Sequence, residues 1–353
     1  MALAELCVED LRCIEKAELS LGPGTHLIFG PNGAGKTSLL EAAFLLGRGR
    51  SFRTRQNERL IRHGQALLRV VGRTTANPIP HTLGVEVAKD RGTRARVDAA
   101  NVRSLADLTS VFPVQALDPD AHKLIEEAAA RRRRWLDWTV FHVEPSFAES
   151  WSRYSRALQQ RNAALRSGIG EVEVWDPELG REGEAITEAR YRVLAALKPY
   201  WISLVDELVG VEVTLGFNAG WDRSETLSST LAAGAIRDRE RRTTVSGPHR
   251  ADVLLRVRAR AAREVLSRGQ QKLAAVAMTL CQLEYLRTEH GLRPTLLLDD
   301  PSAELDQERL ARFIARVRAL DAQLIITALD RDHRLFGEPQ SMFHVEHGRV
   351  VRV

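Results

Sequence analysis

The alternation of apolar and polar positions changes rhythm several times along the chain. From Leu3 to Leu27, short apolar stretches are broken by turn residues, Gly22, Pro23 and Gly24 among them, which predicts two or three strands. His26, Leu27, Ile28 and Phe29 then run into a glycine-rich segment and an apolar-periodic stretch of three helical turns, a strand-loop-helix unit. Residues 66–98 read as strands again, with turns at 77–80 and 90–92, and predict an antiparallel layer.

Between residues 121 and 210 the period becomes helical. Trp151, Tyr154, Leu158 and Leu165 mark one face, and Ile186, Val193, Leu197, Tyr200 and Leu204 another. The breaker-rich segment 167–184 between them predicts a short antiparallel αα-hairpin whose helices, at roughly 20 residues each, would reach about 30 Å. Pro199 should kink the second helix. Strand character resumes at 211–217, and α/β alternation follows: helix 271–289, strand 295–298, helix 307–320, strand 323–327. The expected fold is α/β, a mixed sheet plus an antiparallel layer built from residues 1–120 and 211–353, interrupted at 121–210 by a helical lobe that contains the hairpin.

Composition narrows the function classes. The chain has 353 residues, 44% of them apolar, enough for a substantial core and a soft prior of two domains. Cys7, Cys13 and Cys281 are odd in number and show no CxxC spacing, so neither a disulfide framework nor a zinc ribbon is indicated and a reducing cytoplasm is expected. The first residues carry acids and no apolar signal region, and no run of about 18 apolar residues occurs, so neither export nor a membrane span is expected. Of 51 cationic side chains only six are lysine, against 46 acids. A coding bias and planar recognition of phosphates by guanidinium groups would both produce that excess of arginine.

Chemistry enters at Gly30-Pro31-Asn32-Gly33-Ala34-Gly35-Lys36-Thr37, which matches G-x-x-x-x-G-K-[ST] between a strand and a helix. Glycines let successive backbone N–H groups curl around phosphates, Lys36 reaches the β and γ oxygens, and the Thr37 hydroxyl holds Mg²⁺. The apolar run Thr295–Leu298 ends in two acids. Asp299 is the expected metal-side carboxylate and Asp300 the group that polarises the attacking water. A second anion-ready helix start is Ser267-Arg268-Gly269-Gln270, where Ser267 is a natural N-cap and Gly269 permits close backbone approach. Two such helix starts with only one lysine-bearing loop are most simply explained if each ATP is sandwiched between two copies of the chain, a homodimer held together by nucleotide.

The order of phosphate loop, inserted lobe, LSRGQQK (266–272) and LLLDDPSAELD (296–306) resembles the ABC-type ATPase heads of the SMC group. Within that group it is most similar to the RecF family, through Arg12, FGPNGAGKTSLLEA (29–42), SFRT (51–54), RRRRWLDW (131–138), LQQRNAAL (158–165) and GPHRAD (247–252). The resemblance covers nearly the whole chain. It implies a cytoplasmic, DNA-binding ATPase that dimerises with ATP, acts with RecO- and RecR-like proteins in gap repair and loads RecA, with a link to the SOS response. It also implies that Ser267 and Gly269 touch the γ-phosphate held by the opposite subunit, that Asp306 sits in the loop across the dimer interface, that Arg12 lies against the adenine and that Gln115 senses Mg²⁺. Asp300 in place of the glutamate of transport ATPases, and Ala328-Leu329 where those carry a switch histidine, imply slow hydrolysis that serves as a timer.

The alternative, the nucleotide-binding subunit of a membrane transporter, shares fold and dimer logic; the signature residues and the arginine clusters argue against it. Arg237 to Arg268 holds ten arginines and four acids, a local excess greater than the whole-chain +5. Arg256, Arg258 and Arg260 alternate with Val257 and Ala259, which would place three guanidinium groups on one strand face. Arg131–Arg134 and the set Arg48, Arg50, Arg53 and Arg55 form two more clusters. Each alone would suit an ordinary solvated surface; together they favour sequence-independent contact with a DNA backbone, single-stranded or gapped.

Overall fold

The computed structural model describes residues 2–75, 79–102, 104–168, 171–301, 307–331 and 335–353. Its strands, in chain order, are β1 (Leu3–Leu11), β2 (Ile14–Ser20), β3 (Thr25–Phe29), β4 (Leu67–Thr74), β5 (Thr82–Ala88), β6 (Gly92–Val97), β7 (Ala100–Asn101), β8 (Val114–Leu117), β9 (Thr214–Asn218), β10 (Asp252–Val257), β11 (Arg260–Ala261), β12 (Thr295–Asp299), β13 (Leu324–Ala328), β14 (Ser341–Glu346) and β15 (Arg349–Arg352). The helices of seven residues or more are α1 (Lys36–Arg48), α2 (Leu105–Val111), α3 (Ala129–Val143), α4 (Phe147–Ser167), α5 (Asp176–Leu208), α6 (Leu227–Ala233), α7 (Ala235–Arg241), α8 (Arg268–His290) and α9 (Gln307–Ala319). The chain divides into two compact units, Met1–Ala121 with Leu286–Val353, and His122–Tyr285.

The first unit is built on two sheets. One is antiparallel, in the order β2-β1-β4-β5-β6-β7; the other runs β15-β14-β3-β13-β12-β8, parallel except for its edge strand β15. Helix α1 packs on β1, β4 and β5 of the first sheet and on β8, β12 and β13 of the second. That position accounts for its sequence, since Leu39, Leu40, Ala42, Ala43, Leu45 and Leu46 are all buried and leave almost no polar stripe. Gln323, at the foot of β13, fastens the two sheets. Its amide donates to the carbonyls of Leu3 and Gly22 at 2.7 Å and accepts from Leu3 N–H and the Thr295 hydroxyl at 2.8 Å. Fully satisfied in this way, a buried polar side chain specifies one register at little cost.

The second unit departs from the expected lobe in extent and proportions. The expected insertion closes at residue 210, whereas the compact unit continues to Tyr285. The reason lies in pairing: β9, β10 and β11 form a sheet of their own and join neither sheet of the first unit. Helix α4 has 21 residues, close to expectation, but α5 has 33 and so extends about 50 Å at 1.5 Å per residue. Residues 176–184, expected as part of a connection, are helical. Gly180 and Gly183 stand there because α6 lies close: a Cβ on Gly183 would fall 2.4 Å from Leu227 Cδ2, and one on Gly180 would overlap Ser228 Oγ. Pro199 lies inside helix α5, between the buried Leu197 and Trp201, whose indole donates to Val213 O at 2.6 Å.

Candidate functional site

The glycine loop joins β3 to α1 through three positive-φ glycines, Gly30 at 149°, Gly33 at 77° and Gly35 at 117°. Only glycine adopts that sequence of conformations without strain. Two of them are also pressed by neighbours. A Cβ on Gly30 would overlap Val345 O, and one on Gly35 would lie 3.0 Å from Cys13 Sγ. The loop is therefore moulded between the β1–β2 turn and β14. Lys36 is buried, with its ammonium donating to Gly30 O at 2.7 Å and Pro31 O at 2.9 Å. Burial lowers its pKa from the ordinary value, while Asp300 and Asp299 act in the opposite direction.

Parallel pairing of β12 with β13 sets Asp299 beside Thr327. The Asp299 carboxylate accepts from the Thr37 hydroxyl at 2.9 and 3.0 Å and from the Thr327 hydroxyl at 2.7 Å, and Thr327 Oγ1 in turn accepts the Asp300 N–H at 3.0 Å. Hydroxyl and carboxylate oxygens within one hydrogen bond of each other are hard donors that fit Mg²⁺, which keeps waters at its remaining positions. Thr327 was not singled out from the sequence. It occupies the end of the strand where transport ATPases have a histidine nearby, and here it holds the Asp299 carboxylate and the Asp300 main chain.

Gln115 is not placed to join them. The β8–β12 register pairs it with Leu296, three residues and about 10 Å of strand before Asp299. Continuing that register past Leu117 and Leu298 brings Asp118, not Gln115, level with Asp299. Strand alignment of this kind has no signature in a single sequence, so the residue of β8 level with Asp299 emerges only from the fold.

Arg12 lies in the tight turn between β1 and β2 with φ of 52°, its N–H bonded to Leu60 O at 2.7 Å. Its guanidinium is engaged by Glu41 of α1, Nε at 2.6 Å from Oε2 and the NH2 group donating to Oε1 at 3.0 Å. Glu41 is fully buried, also accepts from the Ser51 hydroxyl at 2.5 Å and stands 3.8 Å from the Arg53 guanidinium. The SFRT segment and Arg12 thus meet on one carboxylate, which lies within the 29–42 segment and to which the sequence alone assigns no role. Asp306 lies outside the described residues.

The second helix start, in the other unit, forms a reciprocal cap. Gln270 N–H donates to the Ser267 hydroxyl at 3.3 Å, and Ser267 N–H donates to the Gln270 side chain at 3.0 Å, a capping box that opens α8. Gly269 has nothing within 4 Å of where a Cβ would stand, and Ser267 and Arg268 are exposed, so this N-terminus is open to an anion.

Three comparisons with known proteins bear on these arrangements. The family model for the RecF/RecN/SMC N terminal domain matches residues 2–349. Proteins named DNA replication and repair protein RecF are similar over 99% of this chain: that of Thioalkalivibrio sulfidiphilus is 40% identical over 99% of its own length, and that of Erwinia tasmaniensis 36% over 99%. The chain belongs to the RecF family. A solved structure of the recombination mediator protein RecF with ATP superposes with a TM-score of 0.89 at 26% identity, covering 100% of this chain and 97% of that one. An Smc head bound to the C-winged helix domain of ScpA shares the fold alone, at 15% identity and a TM-score of 0.60 over 100% and 98% of the two chains. The architecture is accordingly the SMC/RecF ATPase head, and the transporter alternative falls.

The segments that single out the RecF family outside the phosphate loop turn out to be a buried polar frame. Arg132 donates to both Asp252 oxygens at 2.8 and 2.9 Å and to the carbonyls of Leu124, Ile125 and Glu127. Arg133 donates to Ala251 O, Arg131 pairs with Glu127, and Arg134 donates to Ala130 O. Of the expected second basic cluster, Arg132 is thus committed inside the fold and Arg133 half-buried, while Arg134 remains on the surface. Arg161 is wholly buried against Asp176, Asp238 and Thr244, and Arg190 against Asp137 and Pro248 O, with its guanidinium 5.4 Å from the Trp151 ring. The third cluster is mixed: Arg48 stacks on Phe44 at 5.5 Å, and Arg53 faces Glu41. The first also differs from expectation. The chain reverses after Val257, so Arg256 pairs with Ala261 and Arg260 with Val257 on opposite faces of a hairpin, and Arg258 occupies the turn with φ of 56°. All three are exposed, grouped at a hairpin end.

The GPHRAD segment supplies a pH-sensitive point. His249 Nε2 donates to Thr244 O at 3.0 Å, so the neutral ring accepts at Nδ1 from the Tyr154 hydroxyl at 2.7 Å. Desolvation, aided by Arg250 and Arg133, lowers its pKa from the ordinary 6.5 to about 4. Because the unfolded chain binds the proton first, stability is full above about pH 6.5 and falls as pH drops toward 4, by up to about 3 kcal/mol. Denaturant melts of the wild type and His249→Gln between those limits check this. The variant should show the flatter acid limb, and identical limbs would assign the loss to other groups.

Proposed function

We propose that the chain is an ATP-gated, DNA-binding homodimer of recombinational repair, working in the cytoplasm. ATP with Mg²⁺ is held by the loop Gly30–Thr37 and by Asp299, and Asp300 orients the hydrolytic water. The observation that carries this is the pair of anion-ready helix starts in one chain: a phosphate loop with its lysine, and an exposed, capped Ser267-Arg268-Gly269 that has no lysine loop of its own. The second completes a nucleotide site on another copy. Hydrolysis is slow, stimulated by DNA, and times release. Likeness to proteins named for DNA replication and repair, and to a recombination mediator solved with ATP, supports the repair role; loading of RecA at gaps, RecO- and RecR-like partners and a link to the SOS response are what the RecF resemblance adds to the proposal.

DNA contact is sequence-independent and centred on Arg256, Arg258 and Arg260, joined by the exposed Arg263 and Arg268. About six neutralised phosphates would give a slope of roughly −5 for log affinity against log salt. Replacing Arg256, Arg258 and Arg260 by Ser should make that slope shallower by roughly 2 to 3 units. Size exclusion with ATP, with and without DNA, tests the whole reading. ATP-dependent dimers that retain DNA support it; dimers indifferent to DNA, or an unchanged salt slope in the triple variant, sink it.

A further inference from the structure

We infer that Glu41 is a positioning residue for nucleotide recognition: it orients Arg12 so that the guanidinium plane is presented to the part of ATP beyond the phosphates, the base. The inference rests on the ATP-binding reading above. Glu41 is completely enclosed and cannot itself touch a ligand. Its carboxylate meets the Arg12 guanidinium along one edge, where one terminal nitrogen donates to Oε1 at 3.0 Å and Nε stands 2.6 Å from Oε2 as an ion-pair contact, while the Arg12 side chain keeps 30% exposure. Gripped on that edge, a guanidinium retains its planar face and its other terminal nitrogen for a ligand, and a planar cation stacks well on an aromatic base.

The turn that carries Arg12 is itself pressed on the phosphate loop. Cys13 Sγ lies 3.8 Å from Ala34 O, and Gly348 N–H also donates to Ala34 O at 3.0 Å. Arg12 therefore stands beside the loop, on a turn fixed at positive φ. Glu41 comes five residues after Lys36 on the helix that the loop opens. One rigid element thereby carries both the phosphate-binding lysine and the carboxylate that aims the arginine. The Ser51 hydroxyl donates to Glu41 Oε1, the oxygen that also accepts from Arg12, and itself accepts the N–H groups of Arg53 and Thr54 at 2.9 and 3.1 Å, so the loop after α1 and the Arg12 turn are tied to one carboxylate oxygen.

Inorganic tripolyphosphate separates this role from loop integrity, because it offers the phosphates without the base. Affinities of the full chain for Mg-ATP and Mg-tripolyphosphate are to be measured for wild type, Glu41→Gln, Arg12→Lys and the double variant. Glu41→Gln should weaken ATP about tenfold and tripolyphosphate less than twofold. Arg12→Lys, which keeps the charge and loses the plane, should change the ratio alike, and the double variant should add nothing further. Should Glu41→Gln fail to fold, Arg12→Lys decides by the same ratio. Equal loss of both ligands, or no loss of ATP, overturns the inference; a wild type that binds neither ligand instead overturns the ATP-binding reading.

Discussion

Replacing Lys36 by Ala is expected to weaken ATP binding by at least about 100-fold and to abolish nucleotide-driven dimerisation. The side chain places a cation at the loop, where two charge-assisted hydrogen bonds to phosphate oxygens at about 1.5–3 kcal/mol each would be lost. Its present partners, Gly30 O and Pro31 O, show that the ammonium is already confined to the loop, so little ordering is needed when phosphates displace those carbonyls. The two hydrogen bonds to the loop carbonyls are lost as well, at roughly 1 kcal/mol each, so the free protein should melt modestly lower while keeping its fold. Titration with a fluorescent ATP analogue, alongside sedimentation with and without ATP, measures both quantities. Affinity within threefold of wild type would remove Lys36 from the nucleotide site.

The largest expected effect on stability lies in the other unit. Arg161→Leu should destabilise the protein by about 3–5 kcal/mol, the usual consequence of removing one partner from a buried ionic cluster. The wild-type guanidinium donates to Asp176 at 2.8 Å, Asp238 at 2.6 Å and Thr244 at 2.9 Å with no solvent exposure. Burial already raises the Asp176 pKa, with Arg161 the chief opposing influence. Without it, two carboxylates face each other in a dry site. Arg161→Lys keeps the charge but cannot span three acceptors with one ammonium, and should recover only part of the loss. Urea denaturation followed by tryptophan fluorescence reads the difference; a midpoint unchanged in Arg161→Leu would mean the cluster contributes nothing net.

What the sequence made legible follows from which interactions are local. The strand-loop-helix at residues 25–48 is written in glycines and periodicity, and the acids at 299 and 300 announce themselves by ending an apolar strand. The length of α5 was obscured because Gly180 and Gly183 read as breakers, whereas they are the price of close approach by α6. Extension of the second unit to Tyr285 depends on β9 pairing with β10 and not with another sheet, and strands carry no address for their partners. Arginine clusters were ambiguous for a related reason. Arg132 and Asp252 are 120 residues apart, so no local pattern separates a committed guanidinium from one that awaits a phosphate. Glu41 was illegible because its role comes from a turn and a loop that reach it from outside the helix.

The buried frame of Arg132, Arg161 and Arg190 has a chemical consequence. Guanidinium groups are not substrates for lysine acylation. The partners described for these three arginines are carboxylates, a hydroxyl, main-chain carbonyls and an indole ring. Those three internal charges should therefore survive acetylation of the chain, so a change in DNA or nucleotide binding after such treatment reports on the modified lysines and not on the loss of this frame.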